Sequence, residues 1–379
     1  MKKKLVVGIT APGSVVLIAG QLRYFKELGY ETYLLAPNHP TVIDYCKFED
    51  CIHLPVDFER EVSPLKDIKA FFQVIKHMLR VQPDVVNLGT PKVSLLGMIV
   101  SAALGIKKRI YTCRGYRFEH EKGLKRKLLI LNDKLVCSLS HHVICISNSV
   151  KQLGLDNQIF SDTKAILINK GSSNGVNLDL FKRDKINHEA REEFIQKYNL
   201  SDKFVFGFVG RVIDRKGVNE LYAVFEELSL LYPDLVLLMI GPYEKSQLKD
   251  STLQSKYENH PNIISLGKIN QEEIPLYMTM MDVFVLPAWW EGFGNVLIQA
   301  AAVGVPVIST NGTGTIDAVD HGFNGILVPV ADADALKNAM LQLYTDQALR
   351  AQYGSNGLEW VKNFDRFLIW NEMDKIYKS

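Results

Sequence analysis

The sequence predicts an α/β protein of two doubly wound domains, and three observations carry that expectation. Short apolar, β-branched runs alternate with longer helix-like segments, as in parallel sheets whose strands are buried on both faces. The alternation stops once, at the Gly/Ser/Asn-rich stretch Gly171-Ser172-Ser173-Asn174-Gly175 and the highly charged segment from Lys182 to Lys197, and then restarts. At 379 residues the chain is long for one core and sufficient for two.

Taken in order, the first series of strands is expected at 5–9, 32–35, 52–56, 84–88, 109–112, 142–146 and 165–168, each followed by turn chemistry. The second is expected at 204–209, 236–240, 263–266, 283–286, 305–309 and 325–329. This gives a first domain over 1–178 and a second over 179–357. An aromatic-rich final helix over about 358–379 is free to pack on either domain, the first included. Facing strand ends of two such domains would form a cleft, where ligands of open α/β sheets bind.

Composition removes several functions. Five cysteines, Cys46, Cys51, Cys113, Cys137 and Cys145, match no zinc or CxxC spacing, and no convincing signal peptide precedes them, so a reduced, cytoplasmic setting is the simplest expectation. No apolar run is long enough to span a bilayer. The formal charge is +2, but residues 1–180 carry 25 Lys/Arg against 16 Asp/Glu, and residues 181–379 carry 19 against 26. Much of the excess lies between Lys107 and Lys127 and leads into Leu128, Leu129, Ile130, Leu131, Leu135 and Val136. This reads either as a basic helix suited to an anionic membrane surface or as a solvated helix covering the core. Nucleic acid is not an expected partner.

The chemistry-bearing groups collect after strands. The run 283–286 opens Pro287-Ala288-Trp289-Trp290-Glu291-Gly292-Phe293-Gly294-Asn295, a loop with one carboxylate and two glycines that starts a helix. Such a loop brings backbone N–H groups close to an anion or a hydroxyl-rich ring. Gly210-Arg211-Val212-Ile213-Asp214-Arg215-Lys216-Gly217 follows the run 204–209 and places two or three cations where a diphosphate can be clamped, or alternatively forms a solvated βα turn. Gly241-Pro242 is another tight βα turn. In the first domain, Gly13 and Ser14 follow the first strand, but the remaining glycines of GxGxxG are missing, so a dinucleotide cofactor is not expected. Lys92 and Arg114 close two further strands and could meet an anionic acceptor. Ser147 and Ser149 read as helix caps. No HExxH, clustered His/Asp set or DxD appears, so neither a metal nor another cofactor is expected.

Together Gly210-Arg211, Lys216-Gly217, Gly241-Pro242, Glu291-Gly292-Phe293-Gly294, Gly304-Val305-Pro306 and Asn324-Gly325 resemble the nucleotide-sugar-binding half of family 4 glycosyltransferases. These have two Rossmann-like domains facing across a cleft (the GT-B fold), need no metal and retain anomeric configuration. The first half is similar through Thr90-Pro91-Lys92, Arg114-Gly115 and Gly175-Val176-Asn177. The whole looks most like the branch that builds capsular, exopolysaccharide and lipid-linked oligosaccharides.

The resemblance implies that Arg211 and Lys216 neutralise the departing diphosphate and that Glu291 bonds the donor sugar. Gly292, Phe293, Gly294 and Asn295 would line its pocket. Gln299 occupies the second acidic position of an E-x7-E pattern, where an amide offers one acceptor oxygen and no charge, implying weaker ribose binding or an altered nucleotide preference. Gly13 and Ser14 correspond to the glycine loop that approaches the donor's β-phosphate. A histidine usual after the fifth strand is replaced by Arg114, so its role is lost or moved to Arg114 or His120. The implied partners are a nucleotide-sugar donor, a polyprenyl-diphosphate-linked saccharide acceptor and an anionic membrane surface met by the first domain, with the protein at the inner face of the cell membrane. Two alternatives stay open: a nucleotide-sugar 2-epimerase of the same architecture, and a catalytically silent sugar-nucleotide-binding subunit.

Overall fold

A computed structural model describes residues 2–59, 63–182 and 185–379; residues 183 and 184 of the charged segment expected near the domain boundary lie outside them. The elements of the first half are β1 Lys4–Gly8, α1 Gln21–Glu27, β2 Glu31–Ala36, α2 Pro40–Glu49, β3 Ile52–Pro55, α3 Pro64–Val81, β4 Val85–Leu88, α4 Pro91–Ala103, β5 Lys108–Cys113, α5 Gly123–Leu139, β6 His142–Cys145, α6 Asn148–Asp156 and β7 Ala165–Leu167. The second half carries α7 His188–Lys197, β8 Phe204–Val209, α8 Val218–Leu231, β9 Leu235–Ile240, α9 Leu253–Asn259, β10 Ile263–Gly267, α10 Ile274–Met278, β11 Val283–Leu286, α11 Asn295–Ala302, β12 Val307–Thr310, α12 Thr315–Ala318, β13 Gly325–Val328, α13 Ala333–Thr345, α14 Gln347–Trp360 and α15 Arg366–Lys378. Every strand expected from the sequence is present, with ends displaced by at most two residues.

The chain divides into two compact units, 1–174 with 367–379, and 175–366. In the first, seven parallel strands run in the order β3-β2-β1-β4-β5-β6-β7, so the order reverses between β1 and β4. One face of this sheet is covered by α3, α4 and α5 through Ala70, Val74, Met78, Val93, Met98 and Val136. The other is covered by α1, α2 and the chain's last helix through Phe25, Val42, Trp370, Met373 and Tyr377. The second unit has six parallel strands in the order β10-β9-β8-β11-β12-β13. Its β8, β9, β11 and β12 are buried along their whole length, because helices lie on both faces.

The expected single helix over 358–379 is two helices. Val361–Phe364 tightens into a 3-10 turn, and Asp365 leaves the helical region to pair with Val176. The Val176 N–H donates to the Phe364 carbonyl at 2.7 Å, and the Arg366 N–H to the Val176 carbonyl at 3.1 Å. These bonds stop α14 inside the second unit and release α15 to the first. There the Tyr377 hydroxyl accepts from Asn87 at 2.7 Å, Tyr30 donates to Asp374 at 2.8 Å, and Trp370 Nε1 donates to Asn174 at 2.7 Å.

On α5, burial pushes the Asp133 carboxyl up to about 7 against weaker opposing pulls from Asn132 and Arg117. In the unfolded chain this carboxyl ionises near its ordinary value of about 3.9, so between about pH 4 and 7 the unfolded state binds fewer protons and stability falls as pH rises. Asp133→Asn is therefore expected to change stability little at pH 4 and to raise it by roughly 2 kcal/mol at pH 8. Urea denaturation at the two pH values checks this, and an equal effect at both would contradict it.

Candidate active site

In the second unit the loops after β8 and β11 are bound to each other where the central strands end. β8 and β11 are neighbours, so the chain leaving β8 at Gly210 and the chain leaving β11 at Pro287 start side by side. Gly217 has φ +69°, and a Cβ there would overlap the Pro287 carbonyl, so only glycine permits both the turn and the approach. The Trp289 N–H donates to the Arg215 carbonyl at 2.8 Å, and Arg215 Nη1 returns a bond to the Trp290 carbonyl at 3.1 Å. The Arg215 guanidinium also lies 5.8 Å from the centre of the Trp290 ring.

Glu291 sits at the centre of this junction. Its Oε1 forms an ion pair with Lys216 Nζ and lies 3.5 Å from Arg215 Nη1. Both side chains are largely covered, Lys216 being 11% and Glu291 15% exposed. The backbone of Glu291 is fixed from the other side, where its N–H donates to the Thr313 carbonyl at 2.8 Å and a side chain at Gly314 would overlap its carbonyl.

Arg211, one turn earlier, is not free: its Nη1 lies 3.1 Å from both carboxylate oxygens of Glu244. Glu244 reaches it from the Gly241-Pro242 turn after β9. Val212 pairs with that turn, its N–H donating to the Pro242 carbonyl at 2.9 Å. A Cβ at Gly241 would collide with the Gly210 carbonyl, which explains the glycine. Asp214 is buried and organises the same loop, accepting from Asn219 Nδ2 and from the Lys249 N–H, each at 2.9 Å. The cluster therefore holds three cations, Arg211, Arg215 and Lys216, and three carboxylates, Asp214, Glu244 and Glu291, at the C-terminal ends of β8, β9 and β11, an arrangement suited to exchanging an internal carboxylate for the oxygens of a diphosphate.

Two family models match the sequence, "Glycosyltransferase Family 4" over residues 13–179 and "Glycosyl transferases group 1" over residues 190–360. The capsular polysaccharide biosynthesis glycosyltransferase CapM of Staphylococcus aureus is 32% identical over 372 residues, 98% of this chain and 96% of that protein. The chain belongs to the family 4 glycosyltransferases. A relative from Escherichia coli, the UDP-Gal:α-D-GlcNAc-diphosphoundecaprenol α-1,3-galactosyltransferase, is 27% identical and covers 81% of this chain and 80% of its own. Among solved structures, a glycosyltransferase from Rickettsia africae superposes with a TM-score of 0.82 at 20% identity over 100% of this chain and 98% of that one. HepE from Anabaena, solved with UDP and glucose, gives 0.81 at 17% identity, with 98% of each chain covered. The fold of this glycosyltransferase is accordingly GT-B.

The remaining residues singled out in the sequence fall as follows. In the glycosyltransferase, Gly294 caps α11 with φ +55°, and Asn295, Val296 and Gln299 form the less buried face of that helix. Gln299 thus lies one turn beyond Asn295 on the same side. Gly292 is half-buried, while the Phe293 ring turns into the core and packs on Phe364 with centroids 5.2 Å apart. In the first unit Gly13 and Ser14 lie in a 3-10 turn, Pro12–Ile18, and the Ser14 N–H is spent on the Ala11 carbonyl at 2.9 Å. Gly13 is exposed, with nothing near the place a Cβ would take. Lys92, at the start of α4, pairs with Asp67 of α3 at 2.7 Å. His120 is exposed with Glu119 at 3.7 Å, and Arg114 lies across Gly89. Ser147 caps α6 through the Val150 N–H at 3.1 Å. Among the described residues no three His, Cys, Asp or Glu side chains gather to hold a metal ion.

The partner of Arg211 was not foreseen, although an acidic residue three positions beyond Gly241 was visible as its signal. The part of Arg215 in fixing Glu291 was likewise not separated from its neighbours' in the sequence.

The Lys216–Glu291 pair is expected to appear as coupling in a double-mutant cycle. Lys216→Met and Glu291→Gln should each cost about 2 kcal/mol, below the range for a fully buried pair because both keep some exposure. The double variant should cost about 1 kcal/mol less than their sum, and additivity within about 0.3 kcal/mol in urea denaturation would show that the two do not interact.

Proposed function

We propose that the protein transfers a hexose or N-acetylhexosamine from a UDP-sugar to a lipid-linked saccharide, with retention of configuration and without a metal, in the synthesis of a surface polysaccharide. The observation that carries this reading is the set of Lys216, Arg211 and Arg215 held by Glu291 and Glu244 at the strand ends of the second unit. The names of the relatives point the same way, to capsular polysaccharide synthesis for CapM and to a UDP-galactose donor with a diphosphoundecaprenol-linked acceptor for the Escherichia coli enzyme.

Breaking the bond from the donor's anomeric carbon leaves its electron pair on the β-phosphate oxygen and makes the sugar oxocarbenium-like. The acceptor hydroxyl oxygen attacks the same face of that carbon, and its proton passes to the departing phosphate oxygen. Negative charge thus grows on the diphosphate, so Lys216 and Arg211 favour the transition state over the ground state. Glu291 accepts from a hydroxyl of the donor sugar. Gln299 offers one carbonyl oxygen to the ribose. Lys92, Arg114 and His120 lie in the unit assigned to the acceptor. An epimerase would need acid and base groups about the sugar, whereas among the described residues the side chains that meet Glu291 are the cations Lys216 and Arg215.

A membrane-facing surface fits the same acceptor. On α5 the apolar residues divide: Leu129, Ile130 and Val136 turn to the core, while Leu124, Leu128, Leu131 and Leu135 stay 41–72% exposed in one stripe. On α3, Leu65, Ile68, Phe72 and Leu79 form a second stripe, 54–83% exposed. Both helices pack on α4 over one sheet face. Lys66, Lys69, Lys76 and Arg80 on α3, and Lys125, Arg126, Lys127 and Lys134 on α5, supply the positive charge an anionic bilayer requires. Among the described residues no helix is long and apolar enough to cross a membrane.

A nucleotide-release assay with UDP-, GDP- and ADP-sugars, EDTA and a short lipid-diphosphate saccharide tests the chemistry. Acceptor-dependent release from a UDP-sugar is expected, falling about 100-fold or more in Lys216→Ala and Glu291→Ala while both remain folded. Near-full activity in either would refute the site, and binding without release across the panel would favour a silent subunit. Sedimentation with vesicles tests the surface. Binding to phosphatidylglycerol but not phosphatidylcholine vesicles is expected, weakened about tenfold or more by Phe72→Glu with Leu128→Glu. Equal binding of wild type and variant would refute it.

A further inference from the structure

Arg114 closes β5 on the sheet face covered by α15. Side chains alternate along a strand, so Thr112 and Arg114 follow one another on this face, as do Asn87 and Gly89 on neighbouring β4. The lower layer is satisfied: Thr112 Oγ1 donates to Asn87 Oδ1 at 2.7 Å, and Asn87 Nδ2 donates to the Tyr377 hydroxyl at 2.7 Å. The upper layer is not. A Cβ at Gly89 would lie 2.8 Å from Arg114 Nε, so the absent side chain is what lets the arginine lie flat across the end of β4. Both Nε and Nη1 are covered and have no hydrogen-bond partner.

The groups acting on this guanidinium besides burial are Tyr377, Tyr111 and Cys113. Burial holds all three protonated near neutral pH, so none is a counter-charge. Burial also draws Arg114 down to about 10, in keeping with a guanidinium whose Nε and Nη1 are covered and meet no carboxylate, while the residue as a whole keeps partial exposure. A second donor waits at the adjoining strand end. The Ile146 N–H donates to the Cys113 carbonyl at 3.3 Å, and the Ser172 N–H to the Ile146 carbonyl at 2.6 Å, which brings the segment 171–174 over the end of β6. Ser173, next in that segment, is 5% exposed, and its hydroxyl has no partner.

We propose that Arg114 and Ser173, at the C-terminal ends of β4, β5 and β6 in the first unit, form a binding site for one oxyanion, a phosphate or a carboxylate of a substrate. Leaving covered donors unpaired is costly, and an anion satisfies the charge and the hydroxyl together. The site's place in catalysis rests on the acceptor-side reading above, whereas anion binding is measurable with no transfer at all.

The test is calorimetric and thermal titration of the full-length protein with inorganic phosphate and, separately, acetate. Phosphate held by Arg211 and Lys216 contributes alike to wild type and first-unit variants, so a difference between them belongs to Arg114. Arg114→Met should weaken the site more than tenfold and leave the melting temperature without anion unchanged or higher, since no internal partner is lost. Gly89→Ala, which keeps the cation but displaces it, should also weaken binding about tenfold, and Ser173→Ala about threefold. Preference for phosphate would assign the site to a phosphorylated substrate group, and preference for acetate to a carboxylated sugar. Identical titrations for wild type and Arg114→Met would overturn the proposal, as would an Arg114→Met that is destabilised without anion and unchanged in binding.

Discussion

The contact on which the candidate site depends is the ion pair of Lys216 with Glu291. It joins loops that leave two adjacent parallel strands in the same direction, where nothing in the sheet's hydrogen bonding would hold them together. Around it the backbone is tied by bonds between Trp289 and Arg215, by the approach of Gly217 to Pro287 and by the approach of Gly314 to Glu291. The two close approaches each demand a glycine, so the loop is defined by sequence rather than by chance packing. The carboxylates also keep the neighbouring cations Arg211, Arg215 and Lys216 from repelling one another, with Glu244 meeting Arg211 and Glu291 meeting Arg215 and Lys216.

The strands were legible because the buried runs are long in Val, Ile, Leu and Phe and are punctuated by glycine. Phe204–Val209 and Val283–Leu286 have the bounds the sequence predicted. What failed was the end of the chain, where residues 347–378 have helix-favouring composition nearly throughout. The interruption at Asp365 comes from pairing with Val176, almost 200 positions away, which no local pattern records. The double character of α5 was half legible. Its apolar residues were visible, but which turned inward depended on where the helix met α4, and the comparable stripe on α3 passed unread.

For the site, the sequence located the cations and carboxylate by their position after strands but not their partners. Arg211 with Glu244 and Lys92 with Asp67 are pairs between segments that meet only in the folded unit. Gly89 had the same difficulty in another form. A glycine after a strand is ordinary turn chemistry, and only the path of Arg114 gives it a meaning. The Phe293 ring, turned into the core, separates what a loop residue contributes by its backbone from what it contributes by its side chain.

The placement of α15 bears on how the chain is made. Trp370, Met373 and Tyr377 fill the core of a unit whose other strands and helices are all encoded before residue 175. On the ribosome that unit emerges first yet must wait, with Phe25 and Tyr30 uncovered, until the whole of 175–366 has been synthesised. Until α15 is available, the nascent first half therefore presents an apolar groove to chaperones for the length of an entire domain's translation.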